Sequence, residues 1–485
     1  MNAIHADRIE AIEDFGPVDL YQRREKIITR HVQGRFQRLR YYSGWPLLAG
    51  YFITPWLTWN GNQAVLFDLP ARQFNIFALT IWPQDLWLAG WMLMIGALSL
   101  FTITNIVGRL WCGYTCPQTV WTAIFMWIEQ RTEGSRTQRI RLDRESWSLT
   151  KLRKRGAKHV LWLGMAFLTG LTFVGYFTPI RELTWQLVTF DAVSLQVQGW
   201  YLFWIAFFTA ATYINAGWMR EQVCIYMCPY ARFQSAMIDK DTLIVSYDAT
   251  RGEPRGAVKR GNATADQPGD CVDCQLCVQV CPTGIDIRDG LQYQCIDCAH
   301  CVDACNQVMT KLDRAPDLIS YTTLNALENK GFRWLRPRSI GYGLVAASLI
   351  VAFGVAVYLR APLDLDVLRD RGTLFLETDT AITNEYQLKA MNKSQVTSTY
   401  QVDVLEPSWV KVTSDAKFQV DGGELVDMPL TLVAAKPLAP GIATNTEVKL
   451  RLCTDDGKYC AVEATPFLTP VNLTPGNPTP AGERL

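Results

Sequence analysis

Apolar residues run for about the length of a membrane crossing in five places: 42–59, 86–107, 159–179, 200–219 and 340–359. A spanning helix needs about 20 such residues. The first stretch is the shortest and is interrupted by Pro46 and Pro55. Residues 117–128 are also apolar but too few to span, and they predict a helix lying at the interface or partly inserted. Beyond residue 361 the pattern changes to alternation of Val, Thr and Leu with polar positions. It predicts strands at 386–391, 400–405, 409–413, 430–433, 447–452 and 459–465. Gly422-Gly423 and Asp456-Gly457 supply turn signals between them. That arrangement is expected of a small sandwich of immunoglobulin type.

Charge in the short loops sets the orientation. Residues 1–41 hold eight Lys and Arg and 129–158 hold ten, whereas 60–85 hold Arg72 alone and 180–198 hold Arg181 alone. Arg333, Arg336 and Arg338 precede the last span. The N-terminus, the 108–158 loop and the 220–339 segment are therefore expected in the cytoplasm. The C-terminal domain is expected outside, in the periplasm of a Gram-negative host. If the five stretches were core helices of a soluble protein, this asymmetry would have no cause. The first forty residues are polar, so no cleavable signal peptide is expected and the first span reads as an uncleaved anchor.

The composition fits apolar spans alternating with soluble pieces: 49% of residues are hydrophobic and 19% charged. A net charge of +1 gives no reason to expect a nucleic-acid partner. Many of the 17 Trp stand at the ends of apolar runs, where interfacial belts use them. Fourteen Cys complete the picture, twelve of them between Cys112 and Cys305. A disulfide scaffold would be short and secreted, and this chain is neither.

Eight of those cysteines form two runs, Cys271-x-x-Cys274-x-x-Cys277-x-x-x-Cys281-Pro282 and Cys295-x-x-Cys298-x-x-Cys301-x-x-x-Cys305. This is bacterial ferredoxin spacing, in which three close thiolates wrap one cubane and the fourth reaches the other. It predicts two [4Fe–4S] clusters with crossed ligands. Cluster one takes Cys271, Cys274, Cys277 and Cys305, and cluster two takes Cys281, Cys295, Cys298 and Cys301. Asn306 stands where a second Pro is usual, which weakens a turn and removes no ligand. Two zinc sites built from CxxC pairs are the alternative, and the doubled 2-2-3 spacing argues against them. His300 reads as a neighbour of the site, not a ligand.

Two further pairs share the pattern CxxxCP, Cys112 to Cys116-Pro117 and Cys224 to Cys228-Pro229, each just after the cytoplasmic end of a span. The repetition suggests two equivalent helical hairpins. Four thiols at one depth could act as redox groups or hold a soft ion such as Cu(I), which favours thiolates, and Met219 and Met227 lie nearby. Free buried cysteine is the plainer reading, and the repeated following Pro argues against it. In the outer domain, Cys453 and Cys460 fall opposite each other if Asp456-Gly457 forms a two-residue turn. A cross-strand disulfide is expected there, with a redox-active or copper-accepting pair as the alternative.

The fold class expected is therefore a multi-domain membrane protein. It combines an α-helical transmembrane bundle of about five spans, an inserted α+β two-cluster ferredoxin-like module, and a C-terminal all-β immunoglobulin-like sandwich. The boundaries are a basic N-terminus at 1–41, a transmembrane region at 42–219 and a cytoplasmic segment at 220–339 with the module at about 262–315. The last span at 340–359, the outer domain at 361–470 and a Pro- and Thr-rich tail at 471–485, expected to be disordered, complete the chain.

This combination of basic N-terminus, both CxxxCP motifs, eight-cysteine module and outer β-domain resembles the FixG/RdxA/CcoG family of cytochrome c oxidase accessory proteins over almost the whole length. The resemblance implies a membrane-bound iron–sulfur protein that reduces Cu(II) to Cu(I) and supports copper delivery to a cbb-type oxidase. Its partners would be that oxidase or its copper-delivery factors, together with a cytoplasmic electron donor. An electron-transfer subunit passing quinol electrons outward in nitrate- or nitrous-oxide-type respiration, and a non-enzymatic scaffold or redox sensor, are the competing functions. No nucleophile triad, phosphate loop or zinc-hydrolase motif points to hydrolysis.

Overall fold

The structure, a computed structural model, describes residues 26–189, 195–256, 269–331, 333, 336–370, 372–394, 396–413, 417–438 and 442–470. The tail expected to be disordered and the first 25 residues of the basic N-terminus lie outside this set. The chain forms two units, Met1–Trp56 with Leu88–Ala352, and Leu57–Trp87 with Phe353–Leu485.

Helix α1 (Arg35–Ile53) opens the described helices. It is followed by α2 (Leu86–Val107), α3 (Pro117–Glu133), α4 (Leu149–Val174) and α5 (Leu195–Thr212), which runs on into a π-helical segment, Tyr213–Met219. Four helical runs are long and apolar enough to cross a membrane: Pro83–Val107, Leu149–Val174, Gly199–Met219 and Pro337–Tyr358. The expected first span, 42–59, is divided. Its first part belongs to α1, and the rest leaves the helix for a short turn, Thr54–Trp56, and a strand, Thr58–Trp59. Three arginines in its first turns and Pro46 keep α1 outside the four. It nevertheless extends about 28 Å at 1.5 Å per residue, and near its far end the Tyr51 hydroxyl donates to the Thr169 carbonyl of α4 at 2.8 Å. Helix α4 begins ten residues before the expected span, because Ser148 caps it by accepting from the Lys151 amide. The short apolar stretch 117–128 lies within α3. Phe125 of α3 is fully buried, and the Trp162 indole N–H of α4 donates to its carbonyl at 3.1 Å.

The cysteine-rich module stands between β1 (Ile244–Tyr247) and β2 (Ile319–Thr322), which pair antiparallel. A short helix, Leu276–Val280, follows the first cysteines of one run, and α6 (His300–Lys311) follows those of the other. The fourth long apolar helix, α7 (Pro337–Tyr358), comes next.

The second unit holds a three-stranded antiparallel sheet, Val65–Asp68, Gln73–Ile76 and Leu79–Ile81, within the loop before α2. Its larger part is a two-sheet sandwich. One sheet has the order β6-β8-β4-β3, from β3 (Leu363–Arg369), β4 (Ala381–Asn392), β6 (Val410–Val412) and β8 (Leu425–Ala435). The other has the order β7-β5-β9-β10, from β5 (Ser398–Glu406), β7 (Lys417–Val420), β9 (Asn445–Thr454) and β10 (Cys460–Leu468). Alternate residues of both sheets, among them Tyr386, Leu388, Tyr400, Leu450 and Phe467, fill the core between them. The six expected strands fall here, and the sequence reading missed β3 and β7. Cys453 and Cys460 form a disulfide between neighbours of one sheet, with a Cα separation of 4.1 Å. The turn closes over Thr454–Gly457, where the Gly457 amide donates to Thr454 at 2.7 Å and Gly457 has φ +67°. The strands end at Thr454 and resume at Cys460, so the connection is longer than the two-residue turn expected.

Candidate iron–sulfur and thiol sites

Each cysteine run in the module coils in the same way. The second and fourth residues after the leading cysteine are left-handed: Asp273 (φ 50°) and Gln275 (φ 54°) in one, Asp297 (φ 50°) and Ala299 (φ 56°) in the other. None is glycine, so each carries a backbone cost of roughly 1–3 kcal/mol that the surrounding structure must offset. The alternation tightens the chain into a loop that turns successive cysteines to one centre, and a helix starts directly after it.

Two cavities result. Cys271, Cys274, Cys277 and Cys305 line one, together with Tyr247, Met309 and Arg288. Cys281, Cys295, Cys298 and Cys301 line the other, where Cys277 and His300 also form part of the wall. Burial pushes the Cys277 and Cys298 thiols up to about 11, Cys305 to about 12, and Cys295 and Cys301 well above the usual thiol range. Such thiols become thiolates only when a cation takes the proton's place, which iron does. Among the described residues, no three His, Cys, Asp or Glu side chains gather closely enough to ligate a single ion. A zinc ion would require that gathering, whereas a cubane spreads its four thiolates over four irons. The donor set fits the cubane.

The Cys112/Cys116 motif packs against the second cavity. A short helix, Leu110–Tyr114, carries Gly113, where a Cβ would come within 2.7 Å of the Ile296 carbonyl oxygen and 3.0 Å of that of Asp297. Glycine is required for that approach. The neighbouring Gly108 has φ +56°, and a Cβ there would lie 2.7 Å from the Leu243 carbonyl oxygen. Arg109, buried, donates through its guanidinium to the carbonyl of Cys295 at 2.9 Å and to that of Tyr293, and also reaches the Ala231 carbonyl at 3.2 Å. Its backbone N–H donates to the Asp297 carboxylate at 2.9 Å. Burial lifts the Asp297 carboxyl above its ordinary range against the pull of those donors.

The Cys224/Cys228 motif is bound to the first one. Gln118 donates to the Asn215 and Arg220 carbonyls at 2.9 and 3.1 Å, and the Cys112 thiol faces the Gln234 side-chain oxygen at 3.4 Å. Both motifs end one helical turn and begin another with Pro, at Pro117 and Pro229, where a missing N–H costs nothing. Burial is the first cause raising Cys112 and Cys224, each to about 12, and the thiols of the two pairs raise one another further. The four thiols are therefore neighbours, though not gathered as ligands of one ion.

Several site residues carried no signal in the sequence. Asp303, inside the second run, caps α1 from 267 residues away: its carboxylate accepts from the Phe36 amide at 3.2 Å and, across 266 residues, from the Gln37 amide at 2.8 Å. An acid at a helix N-terminus also suits the helix dipole. Buried Arg40 donates to the Gly113 carbonyl at 3.0 Å and to His300 Nε2. The same nitrogen lies 2.5 Å from the Gln37 side-chain oxygen, and burial with Arg40 beside it holds the His300 ring well below its ordinary pKa.

Residues 219–324 match a family described as “4Fe-4S dicluster domain”, residues 89–134 one described as “4Fe-4S binding domain”, and residues 353–470 one described as “IG-like fold at C-terminal of FixG”. The nitrogen fixation protein FixG of Rhizobium meliloti is 40% identical over 80% of this chain and 80% of its own length. Protein RdxB of Cereibacter sphaeroides is 37% identical over 89% of this chain and 93% of its own. Protein RdxA of the same organism is 36% identical over 89% and 94%.

Proposed function

The chain belongs to the FixG/RdxA family of iron–sulfur electron-transfer proteins, and on that premise we propose that it is a cupric reductase supporting copper delivery to a cbb-type cytochrome c oxidase. Cys271, Cys274, Cys277 and Cys305 hold one [4Fe–4S] cluster in this reading, and Cys281, Cys295, Cys298 and Cys301 hold the other. When bound, each cluster supplies one-electron transfer. Cu(II) is the substrate; it gains one electron and leaves as Cu(I), the ion that soft thiolates favour. Cys112, Cys116, Cys224 and Cys228 meet it at the cytoplasmic edge of the membrane. In this reading α1 also crosses the membrane, the module faces the cytoplasm and the sandwich faces outward; the Lys and Arg distribution of the loops supports that orientation.

One observation carries the reading. Gly113 places the Cys112 helix directly on the Ile296–Asp297 backbone of the second cysteine run, and Arg109 ties it to the Cys295 carbonyl. The chain's own residues therefore fix the thiol motif against the second cavity. They exclude water from the contact, since Arg109, Asp297 and Cys295 are buried.

The test is Cu(II) reduction by the purified, dithionite-reduced protein, with Cu(I) trapped by a colorimetric chelator. Cys112→Ser/Cys116→Ser is expected to keep its iron and lose copper reduction. A variant that reduces copper at the wild-type rate removes the thiols from the reaction.

A further inference from the structure

Beside the second cysteine cavity lies a recess that the copper reaction does not use. The strap 26–34 and the start of α1 form one side of it and α3 the other. The strap is held at its middle, since the Arg30 amide donates to the Gln279 carbonyl at 2.8 Å and Arg136 donates to the Ile28 carbonyl at 2.8 Å. An outer cleft of about 880 Å3 and a narrower inner cavity share His31, Gln37, Tyr41, Trp127 and Gln130. A volume of that order is usual for small-molecule sites.

Three features specify the occupant. The first is position. His300 lines both the inner cavity and the second cysteine cavity, with Val280 and Pro282 beside it, so a single layer of side chains separates the two. The second is shape and polarity. Trp127 and Tyr41 are large, exposed aromatics at the mouth, and the Arg131 guanidinium lies 5.2 Å over the Trp127 ring. Such residues suit a planar ring approached from a membrane interface. The third is donor chemistry. Arg30, Arg38, Arg40 and Arg139 line the recess, and no acid is among its lining residues in the described set. Arg139 is 7% exposed; it pairs with the buried Glu129 behind the wall at 3.2 Å and donates to the Thr29 carbonyl, which leaves only its Nε without a partner among the described residues. The walls thus offer N–H donors to a ligand that presents oxygen acceptors.

We propose that this recess binds a membrane quinol, with its ring between Trp127 and Tyr41 and its oxygens facing the donors of the strap, so that the quinol is the electron donor to the second cysteine site. The proposal rests on the electron-transfer reading above and names its missing donor. Oxidation of one quinol to quinone releases two electrons, one to each of the two clusters, and two protons, which leave for solvent past the exposed His31 at the rim. Arg40 and Arg109, buried beside the second site, favour the added negative charge.

Two measurements test it on the full-length protein in detergent. An azidoquinone photolabel is expected to crosslink within residues 26–41 or 117–133, and labelling is expected to fall at least tenfold in Trp127→Ala. Menadiol is expected to bleach the cluster absorbance of the wild type, but not of Trp127→Ala or Arg38→Glu. Both variants should retain full iron content and full reduction by dithionite, which shows that they fold. Labelling elsewhere, or menadiol bleaching that survives both variants, overturns the proposal. So does loss of co-purifying anionic lipid in Arg38→Glu while menadiol still bleaches. Cys112→Ser/Cys116→Ser separates the two readings. If menadiol bleaches that variant and the wild type alike while neither reduces copper, the quinol site stands and the cupric reductase reading fails.

Discussion

The first cysteine cavity is walled by the module's own elements and reaches the surface at Cys274, which is exposed. The second, with Cys295 and Cys298 buried, is bordered by parts of the chain remote in sequence: the Leu110–Tyr114 helix through Gly113 and Arg109, and α1 through Arg40 and His300. Their charges differ too. Arg288 beside the first cavity is neutralised by Asp286 at 2.6 Å and by Asp273, whereas Arg40 beside the second bonds a carbonyl and an imidazole. Two runs with the same spacing and the same left-handed turns thus make one peripheral site and one junction. The difference lies in what packs against each, and both proposed reactions are placed at the second site for that reason.

The comparison can be broken most severely at the ligands. Cys295→Ser/Cys298→Ser is expected to drop iron from about eight to about four atoms per chain and to abolish copper reduction. Cys274→Ser, at the exposed edge, is expected to weaken one cluster and leave part of the copper reduction. Iron analysis with electron paramagnetic resonance reads both, and a count near twelve in the wild type would make the thiol quartet a third cluster. A smaller effect is expected from Gly113→Val. Overpacking against the Ile296 and Asp297 carbonyls should cost about 1–3 kcal/mol and slow copper reduction with iron retained. The equivalent change at Gly156 of α4, an exposed helical position where a Cβ meets nothing within 4 Å, is expected to leave the reaction rate alone.

Arg40→Gln should lower the potential of the second cluster only, by an amount on the order of 1 kcal/mol for one nearby charge. Redox titration that shifts both clusters equally would erase the asymmetry. The smallest effect belongs to the first site. Hydrogen bonding from Arg288 holds the Asp286 carboxyl below its usual range. A depressed folded-state pKa adds stability above the unfolded value of about 3.9, and that stability is lost as pH falls through the folded value. Asp286→Asn should therefore lower the melting temperature slightly at pH 5, and the gap to wild type should close as pH falls toward 3.

Much of the architecture was legible because its causes are local. A bilayer sets helix length, so four apolar stretches became long helices. A half-buried sheet demands alternation, so six strands of the sandwich could be placed, while β3 and β7 escaped. Where the sequence reading erred, distant partners were responsible. Helix α1 begins seven residues before the expected first span, at Arg35, because Asp303 caps it there. Helix α4 begins at its Ser148 cap, before its apolar stretch, and within that basic segment Lys158 pairs with Glu133 of α3 at 2.8 Å.

By itself the sequence determined that the chain carries ferredoxin-type cysteine runs and the spacing within them. A cubane needs thiolates at turn-length separations, and that requirement is written in consecutive positions. Only the tertiary structure decided how the sites communicate. The left-handed Asp273, Gln275, Asp297 and Ala299 bear no glycine to announce them, and Gly113, Arg109, Arg40 and Asp303 acquire their roles from partners up to 267 residues away. Such contacts depend on the space left when helices and module pack together, which no local spacing encodes.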